Sequence, residues 1–192
     1  MDRFILASAS PRRKEILESA GYSFEIIVSD ADENITEDLT PAQTVEELAK
    51  RKALSVWEEN KDAVVFGCDT VVAIDGKILG KPKDDEEAFE MISSLSGKVH
   101  TVSTGVCICS EGKLSVFSNT TEVEFYPLSV DTIRSYIATG EGRDKAGSYG
   151  IQGFGRVLIK EIKGDYFSVM GLPVAESSRV LADFGIYGKV DL

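Results

Sequence analysis

Histidine is almost missing from this chain: His100 is the only one among 192 residues. A histidine-built zinc site is therefore excluded. A Ser/His/Asp triad would have a single candidate base, and no serine sits in a nucleophile elbow. The three cysteines, Cys68, Cys107 and Cys109, show no metal-ligand spacing. Cys107 and Cys109 alternate within a predicted strand, face one side and are expected in the core. No secretory leader is recognisable, so free thiols and a cytoplasmic location are the expectation. No run of 18 apolar residues exists, which excludes a membrane-spanning helix. Walker A, the dinucleotide-binding glycine pattern and His-Glu-x-x-His are all absent, as are internal repeats and low-complexity tracts. Basic charge is short as well: 21 Lys and Arg against 32 Asp and Glu give a net charge of −11. Such a surface repels nucleic acid and anionic membrane, so neither is an expected partner. Carboxylates, lysines and arginines remain, the groups used in metal-assisted chemistry on phosphates.

The apolar run Phe4-Ile5-Leu6-Ala7 predicts a strand over 4–8, followed by a helix over about 11–20. Ser10 is the expected N-cap and Pro11 the first helical residue, because proline lacks the N–H that would be orphaned there. Gly21 closes the helix. Residues 24–28 read as a second strand that opens into the acidic loop 29–34. Thr40-Pro41-Ala42-Gln43 starts the next helix with a cap, a proline and a capping box. It runs to about Glu59 behind the apolar stripe Val45, Leu48, Ala49, Ala53, Val56 and Trp57.

Residues 63–66 have the continuous apolar character of a strand buried on both faces. Gly67-Cys68-Asp69-Thr70 interrupts it before Val71-Val72-Ala73-Ile74 resumes. Asp75-Gly76 predicts a two-residue hairpin turn that returns through Ile78-Leu79 to Gly80-Lys81-Pro82. A capped helix is expected over 85–95, strands over 98–109 and 113–126, and a helix over about 130–139 behind Ser129. The glycine-rich stretch 140–155 reads as loop. Strands near 156–162 and 165–169 and a helix over about 173–184 complete the chain.

Several residues sit badly with a purely structural role. Arg12 and Arg13 occupy the first turn of a helix, where the macrodipole is positive and cations are unfavourable. A bound polyanion, held by backbone N–H groups and both guanidinium groups, accounts for them. The alternative is a solvated pair costing a few tenths of a kcal/mol to about 1. Lys52 falls on the apolar stripe of its helix, either snorkelling or directed toward a site. Asp69 breaks an apolar run, and buried carboxylates are rare unless paired or metal-bound; a structural Asp bonded to backbone N–H groups is the competing reading. Glu33, Asp30 and Asp32 suit a divalent cation completed by substrate phosphates, or equally a solvated loop. Lys81 stands between Gly80 and Pro82 with no structural role evident. Residues 145–153 suit close approach of backbone to a ligand, with Gln152 reading a base edge, or simply a mobile loop.

Six segments in order resemble the Maf family of nucleoside triphosphate pyrophosphatases. They are Leu6-Ala7-Ser8-Ala9-Ser10-Pro11-Arg12-Arg13, Gly67-Cys68-Asp69-Thr70-Val71-Val72, Gly80-Lys81-Pro82, Leu95-Ser96-Gly97, residues 144–153 (Asp-Lys-Ala-Gly-Ser-Tyr-Gly-Ile-Gln-Gly) and residues 164–173. The resemblance implies one domain over 1–192 with an α/β, inosine-triphosphatase-like two-lobed fold: a mixed twisted sheet, flanking helices and a central cleft. It implies hydrolysis of a nucleoside triphosphate to the monophosphate and pyrophosphate with Mg²⁺ or Mn²⁺, and a homodimer. Asp-Thr at 69–70 and Tyr-Gly-Ile-Gln at 149–152 match the dTTP/UTP subgroup. The sister group acting on 7-methyl-GTP carries Asp-Gln and lacks the Gly-Ile-Gln segment. Cys68 departs from the usual Ala or Ser.

By position, Asp69 is implied to be the general base for attack of water at the α-phosphorus. Arg12, Thr70 and Gln152 are implied to set base preference. Ser8, Arg13, Lys52 and Lys81 would hold the triphosphate, and Glu33 with Asp69 the metal. The rival of a different class is a nucleotide-binding regulator of septum formation and cell division without turnover, against which a placed base such as Asp69 argues.

Overall fold

A parallel pairing at the start of the chain organises the fold. In the computed structural model, which describes residues 3–190, strand β1 (Arg3–Leu6) runs parallel to β2 (Glu25–Ile26) on one side and to β3 (Ala63–Ile74) on the other. Helix α1 (Pro11–Ser19) links β1 to β2, and α2 (Pro41–Glu58) carries the chain back to β3. With β5 (Val99–Ser110), β6 (Lys113–Phe125) and β7 (Ile159–Lys163), the strand order β2-β1-β3-β5-β6-β7, with β4 (Lys77–Leu79) paired antiparallel to β3, makes a seven-stranded mixed sheet. Strands β5 and β6 are joined by two residues, a connection that only antiparallel neighbours allow. Strand β7 pairs antiparallel to β6. The helices are completed by α3 (Asp85–Leu95), α4 (Val130–Ala138), α5 (Tyr166–Met170) and α6 (Val174–Asp183). Among the described residues no helix is long and apolar enough to cross a membrane.

The helix starts follow local chemistry. The Ser10 side chain accepts from the Arg13 N–H with Pro11 in the first turn, and Thr40 and Gln43 form the full capping box. Asp75 and Gly76, with φ of 50° and 75°, make the tight turn between β3 and β4.

Three expectations change. Residues 67–70 do not interrupt the strand: β3 runs unbroken for 12 residues, with Asp69 tolerated because it is paired. The second strand shrinks from residues 24–28 to two residues. Residues 165–169 are helix, not strand. Asp165 caps the turn, its carboxylate accepting from the Phe167 N–H at 2.8 Å and its carbonyl from the Val169 N–H at 3.2 Å. Thr121 Oγ1 fixes it by accepting from the Asp165 N–H at 2.9 Å. These bonds override the strand preference of Tyr166, Phe167 and Val169.

The chain divides into two compact units. The first holds the residues up to Asp69, Thr104–Asn119 and those from Gly171 on; the second holds Thr70–Ser103 and Thr120–Met170. In the first, Ile5, Val65, Cys107 and Cys109 pack with Ala49, Ala53 and Val56 of α2. Glycine sets how close α2 lies. A Cβ at Gly67 would strike the Ala49 carbonyl and lie 2.7 Å from the Ala53 nitrogen; one at Gly105 would strike the Val45 backbone. The second unit is built round Val72, Ile92, Leu95, Phe125, Tyr136 and Tyr149.

Candidate active site

The sequence leaves β1 toward one neighbour and then crosses to the other, so the carboxyl end of β1 is a topological switch point, the usual ligand position in open α/β sheets. Ser8 and the first turn of α1 follow at once. Ser8 is buried, and its Oγ accepts from the Ser10 N–H at 3.2 Å and from Arg13 Nη1 at 3.1 Å. Arg13 Nε also donates to the Gly171 carbonyl at 2.9 Å, which the Cys68 thiol approaches at 3.1 Å. Gly171 thus ties the first turn of α1 to the residue preceding Asp69. No acid occupies that first turn. Arg12 is half-buried beside Arg13. Burial pushes the Cys68 thiol up to about 11, against the opposing pull of Arg13, so it stays protonated.

The second cluster follows from the close approach of α2 to β3. Gly67 and Asp69 are two apart on a strand and share a face, and the face that brings Gly67 against Ala49 and Ala53 brings Asp69 to Lys52. Lys52 Nζ lies 2.5 Å from Asp69 Oδ1 and 2.9 Å from Glu33 Oε1. The Lys52 and Asp69 side chains are 14% and 13% exposed, while Glu33, at 66%, reaches in from the acidic loop. Burial works to lower the Lys52 pKa, but the two carboxylates outweigh it and hold it above the ordinary lysine value. Lys52 is therefore a fixed cation at neutral pH. The loop bearing Glu33 is itself tethered, Arg51 Nη1 donating to the carbonyls of Asn34 at 2.8 Å and Asp32 at 3.3 Å.

Asp30 and Asp32 do not join this cluster: Asp32 spends Oδ1 on Asn34, and Asp30 is exposed. Among the described residues no group of three or more His, Cys, Asp or Glu converges as a metal cage. Asp69 and Glu33 each give Lys52 one oxygen, which leaves one hard oxygen apiece. That donor set fits Mg²⁺-type binding, in which one or two carboxylates suffice and substrate phosphates complete the shell.

The structure thus brings together Ser8 with Arg13, and Lys52 with Glu33 and Asp69, all in the first unit. Thr70, Lys81 and Gln152 belong to the second. Thr70 follows Asp69 on β3 and is half-buried. Lys81 is exposed just past β4, beside Gly80, whose carbonyl accepts from the Gly147 N–H at 3.0 Å. Gln152 is half-buried and immediately precedes a 3₁₀ turn, Gly153–Val157. Sequence reasoning misses Gly171, which acts through its carbonyl, and Tyr136 and Glu141, which bond the backbone around Gln152. The one available signal was a carboxylate, Glu141, set between Gly140 and Gly142 at the head of the glycine-rich stretch.

A family model described as Maf-like protein matches residues 3–184. A dTTP/UTP pyrophosphatase of Bacillus pumilus (strain SAFR-032) is 54% identical over 186 residues, covering 97% of this chain and 98% of the relative. Another dTTP/UTP pyrophosphatase, from Bacillus velezensis (strain DSM 23117 / BGSC 10A6 / LMG 26770 / FZB42), is 52% identical over 184 residues, covering 96% and 97%. Among solved structures, the Staphylococcus aureus Ham1 protein superposes with a TM-score of 0.51 at 16% identity, covering 82% of this chain and 79% of that one. At that identity the likeness is one of fold.

Proposed function

The chain belongs to the Maf family, and from that premise we propose that it hydrolyses dTTP and UTP to the monophosphate and pyrophosphate. It is a nucleoside triphosphate pyrophosphatase, a hydrolase of acid anhydrides, with residues 1–192 acting as one Maf-like domain. The observation that carries the chemistry is Lys52, a mostly buried ammonium held between Asp69 and Glu33. Such a charge cluster, in the same unit as an arginine-bearing helix start, supports a site that handles phosphates.

In this reading Asp69 takes the proton from a water that attacks the α-phosphorus, while Lys52 holds the carboxylate in place through its other oxygen. The bond from the α-phosphorus to the bridging oxygen breaks, and pyrophosphate leaves with the electron pair. Ser8, Arg13, Lys52 and Lys81 hold the triphosphate; Arg12, Thr70 and Gln152 set base preference. Positioning and fixed charge dominate this chemistry, because phosphoryl groups need little covalent help. Glu33 and Asp69 would hold a divalent cation, Mg²⁺ or Mn²⁺, which supplies Lewis acidity toward phosphate oxygens and water. A homodimer is the proposed assembly, read by light scattering.

The test is pyrophosphate release with Mg²⁺ or Mn²⁺ across dTTP, UTP, CTP, dATP, GTP and 7-methyl-GTP. Release from dTTP and UTP alone, lost in Asp69→Asn, is the expected result. Release only from 7-methyl-GTP overturns the roles given to Thr70 and Gln152. Nucleotide binding with no release from any of them favours the non-catalytic regulator.

A further inference from the structure

The glycine-rich segment around Gln152 is tied down by side chains that take no part in the chemistry above. Tyr149, before it, is buried, and its hydroxyl meets His100 Nε2 at 2.7 Å. The Gly150 N–H donates to Tyr136 Oη at 3.1 Å, and the Tyr136 hydroxyl donates to Glu141 Oε1, also at 3.1 Å. Glu141 then accepts from the Phe154 N–H through Oε2 at 2.6 Å and from the Gly155 N–H through Oε1 at 2.9 Å. The backbone is thus pinned at 150 and again at 154–155, with Gln152 midway.

The glycines fit this arrangement. Gly153 has a φ of +60°, and a Cβ there would strike the Glu141 carboxylate, lying 2.8 Å from its Cδ. A Cβ at Gly155 would strike the Gly150 carbonyl. The loop is glycine-rich where the backbone closes on the carboxylate and on itself. Glu141 is held from its own side too, its carbonyl accepting from Lys145 Nζ. A carboxylate that accepts two N–H bonds and one O–H bond suits this post, because charge-assisted bonds are roughly twice as strong as neutral ones. An amide in its place must aim an NH₂ at one of those three donors.

From these contacts we infer that Glu141, through Tyr136 and the 150–155 backbone, is a positioning residue for base selection: it sets where Gln152 stands and thereby which nucleotide is accepted. This rests on the role proposed for Gln152. Glu141 touches no substrate and moves no proton.

Glu141→Gln and Tyr136→Phe test the two ends of the network, with Gln152→Ala as reference. Amide hydrogen exchange comes first, since it needs no substrate. Exchange at Gly150, Phe154 and Gly155 is expected to quicken at least tenfold in Glu141→Gln, while core amides of β5 stay at wild-type rates; unchanged exchange at 154–155 overturns the inference. Next comes kcat/KM for dTTP relative to CTP. Glu141→Gln is expected to lower this ratio about tenfold, and Tyr136→Phe severalfold, with no further fall when either is added to Gln152→Ala. Equal loss on every nucleotide, or a further fall in the Gln152→Ala background, assigns Glu141 a merely structural role and overturns the inference. A ratio that falls in Glu141→Gln but not in Gln152→Ala leaves Glu141 selecting the base and sinks the role of Gln152 itself, so the two failures read differently.

Discussion

Asp69 in the first unit and Gln152 in the second are held by opposite means. Around Asp69 charged side chains bond one another directly, and Asp69 and Lys52 stand on a long strand and a long helix that glycine lets come close. Around Gln152 the backbone is held instead, by Tyr136 and Glu141, and the residue of interest hangs between the pins. Reactive groups need fixed charge at fixed distance, which regular elements provide. A group that discriminates among bases needs a particular backbone path, which a braced loop provides.

The sharpest way to break this contrast is Asp69→Asn. It keeps an acceptor for Lys52 but removes the proposed base, so pyrophosphate release, read well below the melting transition, should fall by about 10²–10⁴-fold, with the melting temperature lowered because the buried Lys52 keeps only Glu33 as a counter-charge. Residual activity within tenfold of wild type would falsify the general-base role. Next is Gly67→Ala, which attacks the approach of α2 rather than the chemistry. The added methyl meets backbone that cannot swing aside, so a cost of about 3 kcal/mol is expected. That lowers the melting temperature by roughly 6–12 °C in a chain of this size, with activity falling as Lys52 and Asp69 separate; an unchanged melting curve would refute the packing argument.

The second unit answers through pH. Burial lowers the His100 pKa from 6.5 to about 4. Between those values the unfolded chain binds a proton that the folded chain refuses, so stability falls as pH drops through that window and levels off below it. Unfolding free energies from denaturant titrations at pH 7 and pH 4.5 should differ by roughly 2–3 kcal/mol from this residue, and His100→Gln should flatten that component. A component as steep in the variant as in wild type would mean that His100 is not its source. Smallest is Arg143→Ala, which removes an exposed pair with Asp85. Such pairs contribute little, and neither melting temperature nor base preference should move measurably.

What the sequence made legible depended on whether the deciding contact was local. Ser10 with Pro11, Thr40 with Gln43 and Asp75 with Gly76 act within four residues, and all three stand as expected. Lys52 and Asp69 were legible as anomalies, each a charge in an apolar pattern, although no pattern could state that they pair. The helix at 166–170 was misread because its residues favour strands, whereas the deciding bond comes from Thr121, 44 residues away. Glu141, marked only by the glycines on either side of it, was hard to read for a related reason. A glutamate in a polar loop looks like any surface acid, and its partners lie 13 and 14 residues further on.

The three thiols carry a practical consequence. Cys68, Cys107 and Cys109 are free, buried and confined to the first unit. An alkylating reagent therefore finds no target in the folded molecule and reacts only when that unit opens. The native protein comes with its own stopwatch: the labelling rate times the opening of one unit, with no probe to install and no signal from the other.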